Sequence, residues 1–244
     1  MQIFDKKKFN EQFTKNLQNL KAKDCYLQQF ASQIVSDKLE IISRDFKSCL
    51  IYGRVDDLNS PNVLNQINKL PSNYDEEQNP HPDEQFDLVI SNLTMQYNND
   101  VVGALVQYYN NLQKGGLFIC TLLGGDTLKE LKEAMIEADL KCFGKVYNRI
   151  IPMIEIKQMG GLLQRAKFDI PICVSEEVVV TYPDIYTMLK ELKSMGLGNC
   201  LLNRIWQYKK DYFKIVEECY REKFPSSDGR IAATFEILTA SGSR

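Results

Sequence analysis

Three apolar runs, CLIYG at 49–53, FDLVIS at 86–91 and LFICTLL at 117–123, alternate with segments of helical periodicity. Near-continuous apolar runs of this length are what strands covered on both faces require. Ahead of the first, YLQQFASQIVSDKLEIIS (26–43) places Phe30, Ile34, Leu39 and Ile42 near helical spacing. Between the second and third, VVGALVQYYNNLQ (101–113) puts Val101, Leu105, Tyr108 and Leu112 on one face, and Lys114-Gly115-Gly116 reads as its C-terminal stop. After the third, Thr127 and Glu130 read as the capping box of a helix running to about Ala138. Strand, helix, strand, helix in this order predicts a parallel, doubly wound α/β sheet.

The second half has another texture. ICVSEEVVVTY (172–182) and RIAATFEILTAS (230–241) are β-rich and are separated by helical segments at 188–196 and about 205–222. A mostly parallel sheet with an antiparallel C-terminal edge accounts for both halves. The chain shows no internal repeat and no low-complexity linker. It is therefore expected to be a single domain over 1–244, with N-terminal helices at 1–45, one half at 46–140 and a second half at 141–244.

Charge narrows the partners. The 244 residues carry 30 Lys and Arg against 32 Asp and Glu, so no electrostatic footprint for nucleic acid or an anionic membrane is expected. No apolar stretch approaches the ~18 residues of a membrane span, and MQIFDKKKFNEQF lacks a signal-peptide core. The seven cysteines, at 25, 49, 120, 142, 173, 200 and 219, never fall within three residues of one another. That spacing argues for reduced, mostly buried thiols in a cytoplasmic protein and against a metal site.

The stretch between the first two strands is short. Residues 54–85 number 32, where one βαβ unit takes ~30 residues or more. One helix and one strand are the most that fit. PNVLNQINK (61–69), with Ser60 as N-cap and Pro61 at the first helical position, reads as the helix. Any strand is then expected to end near Tyr74-Asp75, with a second strand and its acidic residue lost.

FDLVISNLTMQYNND (86–100), LLGGDTLKEL (122–131), GGLLQRAKF (160–168), TYPDIYTMLKELKSMGLGN (181–199) and DGRIAATFEIL (228–238) together resemble one family of S-adenosylmethionine-dependent methyltransferases. That family includes the malonyl-ACP O-methyltransferase of biotin biosynthesis and the mitochondrial complex I assembly factor 5. The N-terminal IFDKKKF and FASQIVSDKLEIISRDF are similar to its N-terminal helices, so the likeness covers nearly the whole chain. It implies a class I methyltransferase (Rossmann-like) sandwich, shortened here between strand one and strand four, with 46–140 the cofactor side and 141–244 the substrate side. The implied cofactor is S-adenosylmethionine, with no metal. The implied partner is an acyl carrier protein or another protein, in a bacterial cytoplasm.

A cofactor seated at the carboxyl ends of such strands needs glycines that let backbone approach it, an acid for the ribose hydroxyls and polar groups for the adenine. The family pattern L-D-x-G-x-G-x-G stands here as Leu50-Ile51-Tyr52-Gly53-Arg54-Val55-Asp56-Asp57, one glycine of three. Val55 is poorly suited to a backbone turn with positive φ, and Asp57 adds a charge where the methionine carboxylate would lie. Asp75-Glu76-Glu77-Gln78-Asn79-Pro80 is similar to the family's D-E-E-x-L-P loop, while composition alone reads it as a solvated acidic run. The resemblance therefore implies cofactor contacts from Tyr52, Gly53, Asp75, Glu76, Ser91, Asn92 and Leu93.

On the substrate side the resemblance implies Gln96, Tyr97, Tyr182, Asn199 and Arg204, with Arg204 holding a carboxylate or phosphate. Gln96-Tyr97 stands where the family shows His-Trp. Gln96 orients but does not titrate, so general-base chemistry is not expected from it, and no catalytic residue is assigned. His81, the single histidine, reads as a surface residue between prolines. Two functions are expected: a methyltransferase-family protein with a degenerate cofactor loop, or a non-catalytic binding factor or arginine hydroxylase of the assembly-factor type.

Overall fold

A computed structural model describes residues 2–9, 11, 26–53, 62–64, 83–203 and 208–244, together with the backbone of 66–68. The apolar runs become β1 (Cys49–Gly53), β3 (Phe86–Asn92) and β4 (Leu112–Leu123), and a short β2 (Gln66–Asn68) stands outside β1. With β5 (Asp169–Tyr182) and β6 (Ile231–Ser243) they form one sheet in the order β2-β1-β3-β4-β6-β5. β2, β1, β3 and β4 are parallel, and β6 runs antiparallel between β4 and β5. The expected parallel sheet with an antiparallel C-terminal edge is present.

Alternation along the strands decides which helix packs where. Cys49 and Ile51 face one way, with Leu88, Ile90 and Ile119, against Val35 and Leu39 of α1 (Tyr26–Glu40). Leu50 and Tyr52 face the other way, against Ala104, Leu105 and Tyr108 of α2 (Val101–Asn110) and Met159 and Leu163 of α4 (Ile156–Arg165). The first face continues under α3 (Lys129–Phe143), α5 (Ile185–Ser194) and α6 (Tyr212–Lys223), which cover Ile231, Ala233, Phe235 and Ile237. Each fully buried Leu or Ile contributes about 1.5–3 kcal/mol relative to exposure.

Four expectations are corrected. Residues 61–69 are not a helix where they are described: Val63 bridges Phe46, and 66–68 pair with Cys49, Leu50 and Ile51 in β2. The second strand is therefore kept, because backbone pairing along the outer edge of β1 outweighs the local helix signal. Lys114-Gly115-Gly116 lies inside β4; α2 stops at Asn110, capped at its start by the Asp100 carboxylate on the Gly103 amide.

Thr127 and Glu130 form no capping box. Thr127 exchanges hydrogen bonds with the backbone of Glu236 (both 3.1 Å), and the Glu130 carboxylate accepts from the Thr234 amide at 3.0 Å. The N-cap position of α3 is Leu128, in the left-handed region at φ 59°. Gly124 admits a buried acid: a Cβ there would meet Glu236 Oε2 at 2.3 Å, and that carboxylate accepts from the Asp126 amide at 2.9 Å and from Ser175 Oγ at 2.6 Å. LLGGDTL is thus a latch between β4 and β6.

No helix among the described residues is long and apolar enough to cross a membrane. Six described cysteines are free thiols, five of them buried, and among the described residues no three His, Cys, Asp or Glu side chains converge.

Candidate functional site

The carboxyl edge of the parallel strands divides into two parts. At the ends of β1 and β3, Gly53 has φ +88°, and a Cβ there would meet the Asn92 carbonyl oxygen at 2.2 Å. Only glycine allows the two strand ends to approach so closely. Leu93 follows Asn92 in the left-handed region at φ 53°, a conformation that costs a side-chain-bearing residue about 1–2 kcal/mol. It is held by its amide on the Thr121 carbonyl (2.9 Å) and by Gln96 Nε2 donating to its carbonyl (2.8 Å).

The polar side chains here point inward. Ser91 Oγ lies 3.1 Å from Thr94 Oγ1, Asn92 Nδ2 donates to Ser32 Oγ at 3.2 Å, and Asn92 Oδ1 accepts from Thr121 Oγ1. Tyr52 is buried in the α2 face, its ring 4.8 Å from that of Tyr108. Asp75, Glu76 and His81, like residues 54–61 of the expected glycine loop, lie outside the described residues. As a cradle for S-adenosylmethionine, the described part supplies one glycine turn and backbone edges, while the side chains of Ser91 and Asn92 are engaged within the fold.

The other part lies across β4, under the C-terminal half. A cavity of about 400 Å³ opens between the end of β4, α3, α5 and the segment 149–153. Leu128, Leu131, Met135, Ile150, Leu189 and Phe213 supply much of its wall, with Lys8, Tyr97, Arg149, Lys193 and Asn199 among the polar residues. Residues 2–9 close one side as a strap. Phe4 bridges Leu201, the Asn99 side chain accepts from the amides of Ile3 (2.6 Å) and Phe4 (2.8 Å), and Tyr97 is stacked on Phe9 at 4.2 Å. Burial raises the Tyr97 hydroxyl well above its ordinary range and pushes the Cys200 thiol beneath the strap up to about 11.

Arg149 is the fixed charge of this wall. Its guanidinium pairs with the fully buried Asp139 at 2.8 Å, Tyr212 donates to the same carboxylate at 2.9 Å, and the Tyr147 amide donates at 3.0 Å. The rings of Tyr208 and Tyr212 lie 4.8 and 4.5 Å from the guanidinium carbon. Burial opposes the charge of Arg149, and the Asp139 hydrogen bond and the surrounding rings outweigh it, so the side chain is held more firmly protonated than usual.

Of the expected substrate residues, Tyr97 and Asn199 meet at this cavity. Asn199 donates to the Arg149 carbonyl at 2.8 Å and accepts from the Leu201 amide at 2.9 Å, and Lys8 Nζ donates to the Asn199 carbonyl at 3.4 Å. Gln96 is buried beside them. Tyr182 stands apart from the cavity, its hydroxyl 2.9 Å from that of Tyr26. Arg204 and Trp206 lie outside the described residues. Lys8, Asp139, Arg149 and Lys193 were not foreseen. The available signal was Asp139 itself, a carboxylate among Met135, Ala138 and Cys142 on the buried stripe of α3, which demands a cation.

Residues 59–120 match the family described as Methyltransferase domain. The chain is 36% identical over 164 residues to the mitochondrial arginine-hydroxylase NDUFAF5 of Danio rerio, covering 67% of this chain and 51% of that protein. It is 30% identical over 172 residues to the malonyl-[acyl-carrier protein] O-methyltransferase of Laribacter hongkongensis, covering 67% and 53%. The chain spans about half the length of these curated relatives. The crystal structure of the YcgJ protein of Bacillus subtilis shares the fold, with TM-score 0.57 at 12% identity over 88% of this chain and 98% of that one.

Proposed function

This chain is a protein of the S-adenosylmethionine-dependent methyltransferase family, homologous to NDUFAF5 and to malonyl-[acyl-carrier protein] O-methyltransferase, and from that premise we propose that it works as a ligand-binding member with a weakened hold on the methyl donor. The observation that carries the reading is the contrast across the carboxyl edge. Side chains at the ends of β1 and β3 are engaged inside the fold, while the cavity beyond β4 is lined by cations and apolar groups.

In this reading, what contact with S-adenosylmethionine remains comes from the backbone at Gly53, Ser91, Asn92 and Leu93 and from Asp75 and Glu76, with Tyr52 a packed wall. Tyr97, Asn199 and Arg204 bound the ligand site, with Gln96 beside them and Tyr182 packed apart from it. Methyl transfer depends chiefly on in-line positioning of donor and acceptor, so a loosened donor site lowers the rate directly. The acceptor presented to the site is a carboxyl group carried on a protein, an acyl carrier protein in the reading nearest the malonyl-[acyl-carrier protein] relatives. Free thiols at the six described cysteines fit a reducing compartment, which a bacterial cytoplasm would provide.

The 36% identity to the NDUFAF5 protein favours a second reading, an assembly-type binding factor or arginine hydroxylase that uses the same cavity for a protein segment. Calorimetric titration with S-adenosylmethionine and S-adenosylhomocysteine tests the first point. No binding in the micromolar range is expected; a micromolar Kd, ~−8 kcal/mol, would overturn the weakened-donor reading.

A further inference from the structure

β5 is the last strand of the sheet, paired with β6 on one side and, among the described residues, with no strand on the other. In an antiparallel strand every second residue turns both its amide and its carbonyl outward, so an unpaired edge is a template for another strand. Its two ends are guarded. At the start, Ile170 has φ 48°, the register with β6 shifts between Asp169 and Ile172, and Pro171 has no amide to offer. At the finish, the Arg230 guanidinium donates to the Thr181 carbonyl at 2.7 Å and to its hydroxyl at 3.0 Å. Between these guards Ile172–Val180 keep an unbroken register with β6.

The side chains of this open stretch define what pairs with it. Ile172, Val174 and Val179 are 52, 39 and 58% exposed, an aliphatic surface that gains from apolar cover. Glu176 and Glu177 stand exposed at its centre. Glu177 pairs with Lys129 at 3.3 Å, while Glu176 has no ion pair among the described residues. Glu236, directly opposite Glu177 in β6, is satisfied by neutral donors, the Asp126 amide and the Ser175 hydroxyl. These three carboxylates share the one ammonium of Lys129, so the middle of the edge attracts a further cation.

A second copy of the chain does not supply that cation. Residues 169–182 contain no Lys, Arg or His, so no register of β5 against itself sets a positive charge opposite Glu176. Registers centred on Glu176 or Glu177 set like charges together.

We propose that the outer edge of β5 docks an extended segment of a partner protein as an added strand, with a basic side chain opposite Glu176 and aliphatic ones opposite Val174 and Val178 on the same face. Backbone pairing supplies the affinity, and the alternation of aliphatic and basic residues supplies the selectivity. None of these β5 residues lines the cavity beyond β4, so the inference stands whether or not that cavity or the cofactor edge binds a ligand.

The test follows fluorescence polarisation of the labelled, end-capped peptide TVTKTVT, whose Val, Lys and Val share one strand face, on titration with the full chain. It is expected to bind at least about tenfold more tightly than TVTETVT, a difference of ~1.4 kcal/mol. N-methylation of alternate peptide amides is expected to abolish binding in one phase and to spare it in the other, which strand pairing requires and charge attraction alone does not. Glu176→Lys, an exposed change, is expected to reverse the preference between the two peptides while the thermal transition stays in place. Equal affinity for both peptides, the same response to both phases of N-methylation, or no binding of TVTKTVT at about 1 mM would each overturn the proposal. Self-association of the full chain that protects the amides of Ile172–Val180 from hydrogen exchange would overturn it too, by giving the edge to a second copy.

Discussion

The two parts of the carboxyl edge are built from the same strands and used differently. Where β1 and β3 end, polar groups such as Ser91, Asn92 and Thr121 close on one another, and aromatic packing fixes Tyr52. Where β4 ends, Arg149, Asn199 and Lys8 are organised by a network that borders an open volume. Fold and cofactor chemistry are therefore separable. The sheet register holds through backbone pairing and core packing whether or not a cofactor is gripped, and the capacity to bind rests on groups held at the edge of a cavity.

The largest effect that would sharpen this contrast lies at the Asp139–Arg149 pair. Asp139→Asn should lower stability to urea by about 3–5 kcal/mol, because it removes one partner of a buried ion pair, whereas Asp139→Leu combined with Arg149→Met should lose much less. Equal losses in the single and double variants would mean that the pair does not organise the wall. Gly53→Ala should come next, at about 1–3 kcal/mol, since its Cβ would collide with backbone that cannot swing away.

Tyr182→Phe should cost about 1 kcal/mol by removing the hydroxyl pair with Tyr26, with no change in ligand affinity. A weakened affinity would return Tyr182 to the binding surface. The smallest effect is at Asp184, the N-cap of α5, whose carboxyl is held below its usual range by the Thr187 amide, with slight burial opposing. A lowered folded pKa adds stability that is present above the ordinary carboxylate range and is lost as pH falls through the folded value. Asp184→Asn should therefore shrink the acid-side fall in Tm between about pH 6 and pH 2, a scan in which an unchanged slope would dismiss the cap.

Much of the framework was legible because its signals are local. CLIYG, FDLVIS and LFICTLL announce buried strands, and the stripes of α1 and α2 follow from apolar spacing. The errors fall where a partner distant in sequence decides. Lys114-Gly115-Gly116 reads as a helix stop, yet Gly115 and Gly116 exchange backbone bonds with Arg244. Thr127 and Glu130 read as a cap, yet both bond to β6. The site was less legible than the fold. Tyr97 and Asn199 came with the family resemblance, but Arg149 lies in YNRIIPMIE, which has no periodicity to mark it, and Lys8 reaches the cavity only because residues 2–9 fold back across the sheet edge.

By itself, the sequence determined the alternation of strands and helices, the two-faced burial of the sheet and the erosion of the glycine pattern to Gly53, because these depend on residue type and spacing along the chain. Only the tertiary structure decided that Ser91 and Asn92 turn inward, that Glu236 occupies the space beside Gly124, and that Lys8, Arg149 and Lys193 share one cavity. Apart from Ser91, whose partner Thr94 is close in sequence, those outcomes depend on groups 29 to 185 residues apart satisfying one another's charge, hydrogen bonds and volume, and no local pattern encodes which partner such a buried polar group will find.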